Sequence, residues 1–264
     1  MKIGLMSDIH LVRNTQRLMY ALEALEGTEL LLLAGDLTDK GLPEQYALLL
    51  ACIRARLGDV PVYCVSGNHD NPKRDDAAYR AFERSIRPDA AAGADASGAF
   101  HQDLGGGVDL TGLNPVYHQK LFFFPDRALQ LDFLQRQLES SPAALHIVLC
   151  HPPLLAHNPQ RTAAMPPYIA KEQNDRLQRI TDRTGSILFL SGHTHLAPTV
   201  EWDAVHGNLY INAGSICPTN KGSAGGEIQQ GNVTLLDITD GRVSVHIRGI
   251  HTDVQFFRQD FIMG

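Results

Sequence analysis

Short apolar runs that stop abruptly at Asp, Asn or His are the strongest constraint in this 264-residue chain. Ile3 to Met6 runs into Ser7-Asp8, Leu30 to Ala34 into Gly35-Asp36, and Val60 to Val65 into Gly67-Asn68-His69-Asp70. Leu145 to Cys150 ends at His151, and Ile187 to Leu190 ends at Gly192-His193-Thr194-His195. Runs this short read as buried strands, since a membrane span needs about 18 or more apolar residues. Longer amphipathic stretches separate them. Asn14 is placed to cap a helix with Leu18, Leu22 and Leu25 on one face, and Pro43 suits the first position of a helix whose stripe is Tyr46, Leu50, Ile53 and Leu57. Asp126 is placed to cap a third with Leu131, Leu134 and Leu138 inward, and a further helix is expected from Lys171 to Arg183. Sustained alternation of this kind predicts an α/β layer fold.

Beyond Gly192 the pattern changes to short strands with close turns: Thr199 to Trp202, Leu209 to Asn212, Asn232 to Asp237 and Val243 to Arg248, with Asp240-Gly241 as a hairpin signal. The expectation is one domain over 1–264 whose portion from about 197 is mostly antiparallel. Pro88 to Gly98 and His157 to Pro167 read as loops. With 44% hydrophobic residues the chain can bury a core without disulfides, and its four cysteines, Cys52, Cys64, Cys150 and Cys217, contain no CxxC pair and fit a reducing compartment. Met1 to Met6 is too short for a secretory leader, so a cytoplasmic protein with no membrane partner is expected. The formal net charge of −6 argues against a general nucleic-acid binder, although it leaves room for a local basic patch.

Metal ligands need lone pairs on rigid backbone, and here Asp, Asn and His fall repeatedly at strand ends. In Asp8-Ile9-His10, residues two apart in an extended segment would face the same side. Glycine before the ligand lets the backbone turn and approach closely. In open α/β sheets the carboxyl ends of the strands line the ligand crevice, so these segments should converge at one rim. One ion cannot use them all; two ions about 3.5–4 Å apart, sharing a carboxylate such as Asp36, can, and such pairs cleave phosphate esters.

Taken in order, Asp8-Ile9-His10, Gly35-Asp36-Leu37-Thr38-Asp39, Gly67-Asn68-His69-Asp70, His151 and Gly192-His193-Thr194-His195 resemble the D-x-H, GD-x-x-D, GNH-D/E, H and GH-x-H signature of the calcineurin-like metallophosphoesterase superfamily, over roughly Met1 to Pro218. The resemblance implies a four-layer α/β/β/α sandwich. It also implies a hydrolase of phosphate esters using a metal-bridging hydroxide. One ion would be held by Asp8, His10, Asp36 and His195, the other by Asp36, Asn68, His151 and His193. His69 would contact the phosphate or leaving group and Asp39 would orient its ring. Mixed nitrogen and oxygen ligands suit Mn, Fe or Zn alike. Ser7-Asp8-Ile9-His10-Leu11, the Gln130 to Leu134 helix after Gly112-Leu113, and Asn212-Ala213-Gly214-Ser215 look most like the bacterial class III phosphodiesterases. That likeness makes a small phosphodiester the expected substrate, a cyclic nucleotide or a glycerophosphodiester among the candidates, and leaves a homodimer open. Phosphomonoesterase or nucleotide pyrophosphatase activity on the same site, and a non-catalytic scaffold on the same fold, are the alternatives.

Other readings compete residue by residue. Asp39 by itself reads as a helix cap because Pro43 follows, and Asp70 is expected to cap a helix after Asn71-Pro72. The ligand blocks contain no Arg or Lys; Arg13, Lys73, Arg74 and Arg161 are the nearest, and Arg161 is the candidate to meet a phosphate, beside Asn68 and His69. His118, His157 and His206 lie where they could border the site. Phe122-Phe123-Phe124 reads as core or subunit contact.

Overall fold

Five short apolar strands supply the frame, and in a computed structural model they sit in two facing sheets. The structure describes residues 1–71, 75–87, 98–159, 167–217, 231–251 and 254–263. Along the chain the first elements are β1 (Lys2–Met6), α1 (Gln16–Ala24), β2 (Leu30–Ala34), α2 (Pro43–Leu57), β3 (Val62–Val65), α3 (Ala77–Ile86), β4 (Phe100–Gly105), β5 (Val108–Leu113), β6 (Val116–His118) and β7 (Leu121–Phe123). There follow α4 (Pro125–Ser140), β8 (Leu145–Cys150), α5 (Lys171–Thr184), β9 (Ile187–Ser191), β10 (Thr199–Asp203), β11 (Asn208–Asn212), β12 (Asn232–Thr239), β13 (Arg242–Gly249) and β14 (Gln255–Ile262).

One sheet has the order β14-β13-β12-β1-β2-β3 and the other β10-β11-β9-β8-β5-β4, while β6 and β7 form a separate hairpin. β1, β2 and β3 are parallel, as are β5, β8, β9 and β11. Every residue of β2, β5, β8 and β9 is buried, as expected of strands covered on both faces. Ile3, Leu5, Leu32, Ile147, Leu149 and Leu190 fill the space between the sheets. Leu18, Leu22, Tyr46 and Ile53 pack α1 and α2 on the outside of the first sheet, and Leu131, Leu134 and Leu177 pack α4 and α5 on the outside of the second. The layers are therefore α/β/β/α.

After residue 197 the pairings are antiparallel apart from β11 with β9, among the described residues. Asp240 and Gly241 both take positive φ, 46° and 75°, as the tight turn between β12 and β13 requires. β4, β14 and the β6–β7 hairpin carry too many polar residues or are too short to announce themselves as apolar runs. Three helix starts differ from expectation. Asn14 lies two residues outside α1, its Oδ1 accepting the Gln16 N–H at 2.9 Å, and α4 begins at Pro125, so Asp126 is inside it rather than capping it. The helix expected after Pro72 starts at Ala77, behind Asp76, so Asp70 is not its cap. In α2 the buried stripe is Tyr46, Leu49, Cys52 and Ile53, while Leu50 and Leu57 are only half-buried.

Candidate metal centre

At the carboxyl ends of β1, β2, β3, β8 and β9 the chain leaves the sheets through short segments that bear every ligand-type residue expected from the sequence. Asp8 N–H donates to Gly35 O and His10 N–H to Asp36 O, both at 3.0 Å, so the segments after β1 and β2 run side by side. These segments are not extended. Asp8 (φ 52°), His10 (45°), Asp36 (50°), His193 (71°) and His195 (52°) all adopt the left-handed conformation, which costs a non-glycine residue roughly 1–2 kcal/mol. Alternating left-handed residues, rather than a strand pleat, turn both members of Asp8/His10 and of His193/His195 toward one place.

Close approach explains the glycines. A Cβ on Gly67 would lie 2.1 Å from Asp36 Oδ1, and one on Gly192 would lie 1.7 Å from Ser7 Oγ and 2.6 Å from Asp8 Oδ2. The room a methyl would take is occupied by the carboxylates themselves.

Asp8, His10, Asp36 and His195 place donor atoms within 4.8 Å of one another, and Asp36, His151 and His193 form a second such group, so Asp36 belongs to both. Asp36 Oδ2 is 3.5 Å from His10 Nε2 and 3.4 Å from His151 Nε2, while its Oδ1 accepts the His69 N–H at 2.8 Å. Asp8 Oδ2 accepts Ser7 Oγ–H at 2.6 Å and the His193 N–H at 2.9 Å, which leaves Oδ1 for other work. Ala34 O can only accept, so His151 Nδ1 donates to it at 2.7 Å and turns Nε2 inward.

Whether these residues fit cations is tested by their unmet valences. Asp8 Oδ1, Asn68 Oδ1 and His151 Nε2 are buried atoms without a hydrogen bond. Asp8 Oδ1 nevertheless lies 3.1 Å from His195 Nε2, and His10 Nε2 lies 2.9 Å from the same nitrogen. Buried donors that crowd together with valences left over are the arrangement of ligands gathered about a common ion. The field agrees. Burial opposes charge on Asp36, yet His151 and His10 outweigh it and hold the carboxyl well below the usual carboxylate range. Burial likewise opposes charge on His151 and His195, but Asp36 raises the first to about 9 and the adjacent Asp8 carboxylate raises the second to about 10. His193, buried beside His151, falls to about 3. The two carboxylates thus favour positive charge at this rim. The donors are nitrogen and oxygen, compatible with Mn, Fe or Zn, and the expected assignment places Asp8, His10, Asp36 and His195 about one ion and Asp36, Asn68, His151 and His193 about the other.

His69 stands beside this cluster, its ring 4.4 Å from that of His10 and partly open to solvent. Its Nδ1 donates to the backbone carbonyl of Asp39 at 2.9 Å, while the Asp39 carboxylate is 3.7 Å away. The orienting contact expected of Asp39 is therefore made by its main chain. Asp39 does not cap α2 either, because Leu42 precedes that helix. Arg161, Lys73 and Arg74 lie outside the described residues, and Arg13 is exposed. His118 is exposed, His157 stacks on Tyr210 and His206 pairs with Asp203, so none joins the cluster.

Two contributors escaped the sequence reading. Asp70, fully buried, accepts from Leu37 N, Thr38 N, Gly67 N, Thr38 Oγ1 and Tyr46 Oη at 2.9–3.2 Å, which locks the loop after β2 to the loop after β3. Burial, with Asp36 nearby, raises its carboxyl to about 6. The GNH-D/E pattern contains Asp70, but adjacency to His69 obscured a structural task behind the ligands. Replacing Asp70 with Ala strands three buried N–H groups at about 1–3 kcal/mol each. Urea unfolding of Asp70→Ala is expected to show at least about 3 kcal/mol lost, and an unchanged midpoint would contradict this role. The second contributor is aromatic. Phe122, buried, and Tyr168 stand edge-on to the His193 ring at 5.0 and 4.5 Å, and Phe122 also approaches His151 at 5.8 Å, so the first residue of the triple-phenylalanine run walls one side of the site.

Solved structures share this architecture. GAP50, the anchor in the inner membrane complex of Plasmodium, aligns with 100% of this chain and 89% of its own length at TM-score 0.61 and 12% identity. Purple acid phosphatase PPD1 from yellow lupin (Lupinus luteus) seeds aligns with 98% of this chain and 53% of its own at TM-score 0.64 and 13% identity. PhoD gives 99%, 68%, 0.63 and 13% in the same terms. Likeness at these identities speaks for the fold alone. No curated protein sequence matches the chain. The sequence of residues 1–197, which contains all the strand-end donors described above, does match the family model of the calcineurin-like phosphoesterases, and the chain belongs to that family.

Proposed function

We propose that this protein is a metal-dependent phosphodiesterase acting on small diesters, the chemical class of cyclic nucleotides and glycerophosphodiesters. The observation that carries the reading is the pair of donor groups joined through Asp36, because a carboxylate common to two cation positions fixes their spacing. When bound, two such cations supply charge for a phosphate and a water activated at neutral pH. The chain's own residues do the rest. Asp8, His10 and His195 on one side and Asn68, His151 and His193 on the other hold position, and Phe122 and Tyr168 keep solvent from one flank. With Nδ1–H held by the Asp39 carbonyl, His69 can serve a phosphate oxygen or the leaving alkoxide only as the imidazolium, whose second N–H at Nε2 supplies the proton.

A cavity of about 950 Å³ opens beside His69 and Asn68 and favours a diester over a monoester. Leu42, Pro43, Ala77, Ala78 and Ala81 give it an apolar wall fit for an organic ester arm. Its one lysine among the described residues, Lys40, is outnumbered by Asp39 and Asp75, so no surplus positive charge awaits a dianionic monoester. With Mn²⁺ supplied, kcat/KM for bis(p-nitrophenyl) phosphate is expected to exceed that for p-nitrophenyl phosphate by about ten-fold, equivalent to about 1.4 kcal/mol of differential transition-state binding. A reversed preference would make the protein a monoesterase on the same site. No turnover of either ester, with two ions bound, would favour a scaffold.

A further inference from the structure

Beside the first cation position lies a sulfur that the family signature does not contain. Cys217 follows β11 by way of Ala213 to Ile216, and this segment is lashed to the Asp8 loop. Ile216 N–H donates to Ser7 O at 3.3 Å, Cys217 N–H to Asp8 O at 3.2 Å, and Ser215 Oγ–H to the same Asp8 O at 3.1 Å. Arg17 Nε–H holds the Ile216 carbonyl at 2.9 Å. Held this way, Cys217 Sγ lies within 4.8 Å of a ring nitrogen of His10 and of His195, and these two rings already present Nε2 atoms 2.9 Å apart. Donors bound about 2.0–2.3 Å from one ion stand no more than roughly 4.4 Å from each other, so the sulfur needs at most a small rotation to join them. The donor group of Asp8 shares His10 and His195 with that of Cys217, so the two groups adjoin through these rings. Asp8 is completely buried, and its Oδ1, 3.1 Å from His195 Nε2, has no hydrogen bond of its own.

We propose that Cys217 ligates the cation position of Asp8, His10 and His195 through its sulfur. The inference rests on the metal-dependent reading above and extends it to metal choice. On ligation the S–H proton leaves to solvent and an S–metal bond takes its place. The position becomes softer than its neighbour, whose described donors, Asp36, His151 and His193 with Asn68, are all nitrogen and oxygen. A thiolate favours zinc and the later first-row ions over manganese or magnesium. The centre would then hold two chemically distinct ions. No other cysteine can contribute the sulfur, since Cys52 and Cys64 are packed under the helices of the first sheet and Cys150 under those of the second.

Cobalt(II) tests this directly, because thiolate ligation produces an intense sulfur-to-cobalt charge-transfer absorption in the near ultraviolet that nitrogen and oxygen ligands lack. The unaltered protein loaded with cobalt is expected to show the band. Cys217→Ser, with Cys217→Ala as a second variant, is expected to lose the band while metal analysis still finds two cobalt ions. The Ser variant should also lose zinc affinity relative to manganese by at least the roughly 10–100-fold that removal of a supporting residue costs. Two bound cobalt ions without the band in the unaltered protein, or a band that survives in Cys217→Ser, would overturn the proposal and leave the dinuclear reading standing. Failure to bind cobalt at all would overturn both.

Discussion

Asp36→Asn is expected to deplete both cation positions together and to take phosphoester hydrolysis to background. The reason is geometric: Asp36 Oδ2 sits 3.5 Å from His10 Nε2 and 3.4 Å from His151 Nε2, so it faces both donor groups at once. An amide oxygen is a weaker ligand and brings no negative charge to offset two cations. The fold should survive, because the amide can still accept the His69 N–H that Oδ1 accepts at 2.8 Å. The loss in activity should exceed the about 10–100-fold seen when a residue supporting a ligand is removed. Metal analysis checks it: an Asp36→Asn variant retaining two ions and full turnover would show that the two groups are not joined through this carboxylate.

His69→Ala is expected to behave in the opposite way, keeping both ions while kcat falls by roughly 10²–10⁴-fold, the worth of a positioned acid–base group. Its ring borders His10 at 4.4 Å, and its Nδ1 is already engaged by the Asp39 carbonyl. Because the tether is main chain, Asp39→Ala should leave most of the rate in place, a contrast that separates an orienting carbonyl from an orienting carboxylate. Loss of an ion in His69→Ala would make His69 a ligand and overturn this role.

Much of the site was legible in the sequence because each donor ends an apolar run, and parallel strands feeding one rim can bring such ends together. Asp8, His10, Asp36, His151, His193 and His195 gather there in two groups, and Asn68 leaves β3 with its Oδ1 buried and unbonded. What the sequence did not reveal was the means. Left-handed backbone at Asp8, His10 and Asp36 has only a weak residue-type signature: Asp and His enter this region more often than most side chains, yet still in a small minority of cases. Asp70 hid for a related reason: a carboxylate that gathers main-chain N–H groups from two loops finds its partners 33 residues away, and local pattern reads only helix caps and turns. The β6–β7 hairpin was equally opaque, because Phe122 acquires its role from Ile169 and His193, far along the chain. The α2 stripe slipped by a single residue, to Leu49 and Cys52, in a helix where Leu48, Leu49 and Leu50 offer no polar residue to mark the face.

The donors come from both sheets: Asp8, Asp36 and Asn68 from the ends of β1, β2 and β3, and His151, His193 and His195 from the ends of β8 and β9. The separation between the sheets therefore acts as a calliper on the catalytic centre. It is set by the thickness of the apolar layer in which Leu5, Leu32, Ala34 and Val65 meet Leu149 and Leu190. Interiors are packed as tightly as molecular crystals and hardly compress, so a methylene added or removed there must be absorbed by movement of one sheet against the other. Reacting groups tolerate misplacement of only about 1 Å before rates fall by orders of magnitude. Leucines with no polar atom and no contact with substrate thereby set the gauge at which this enzyme works.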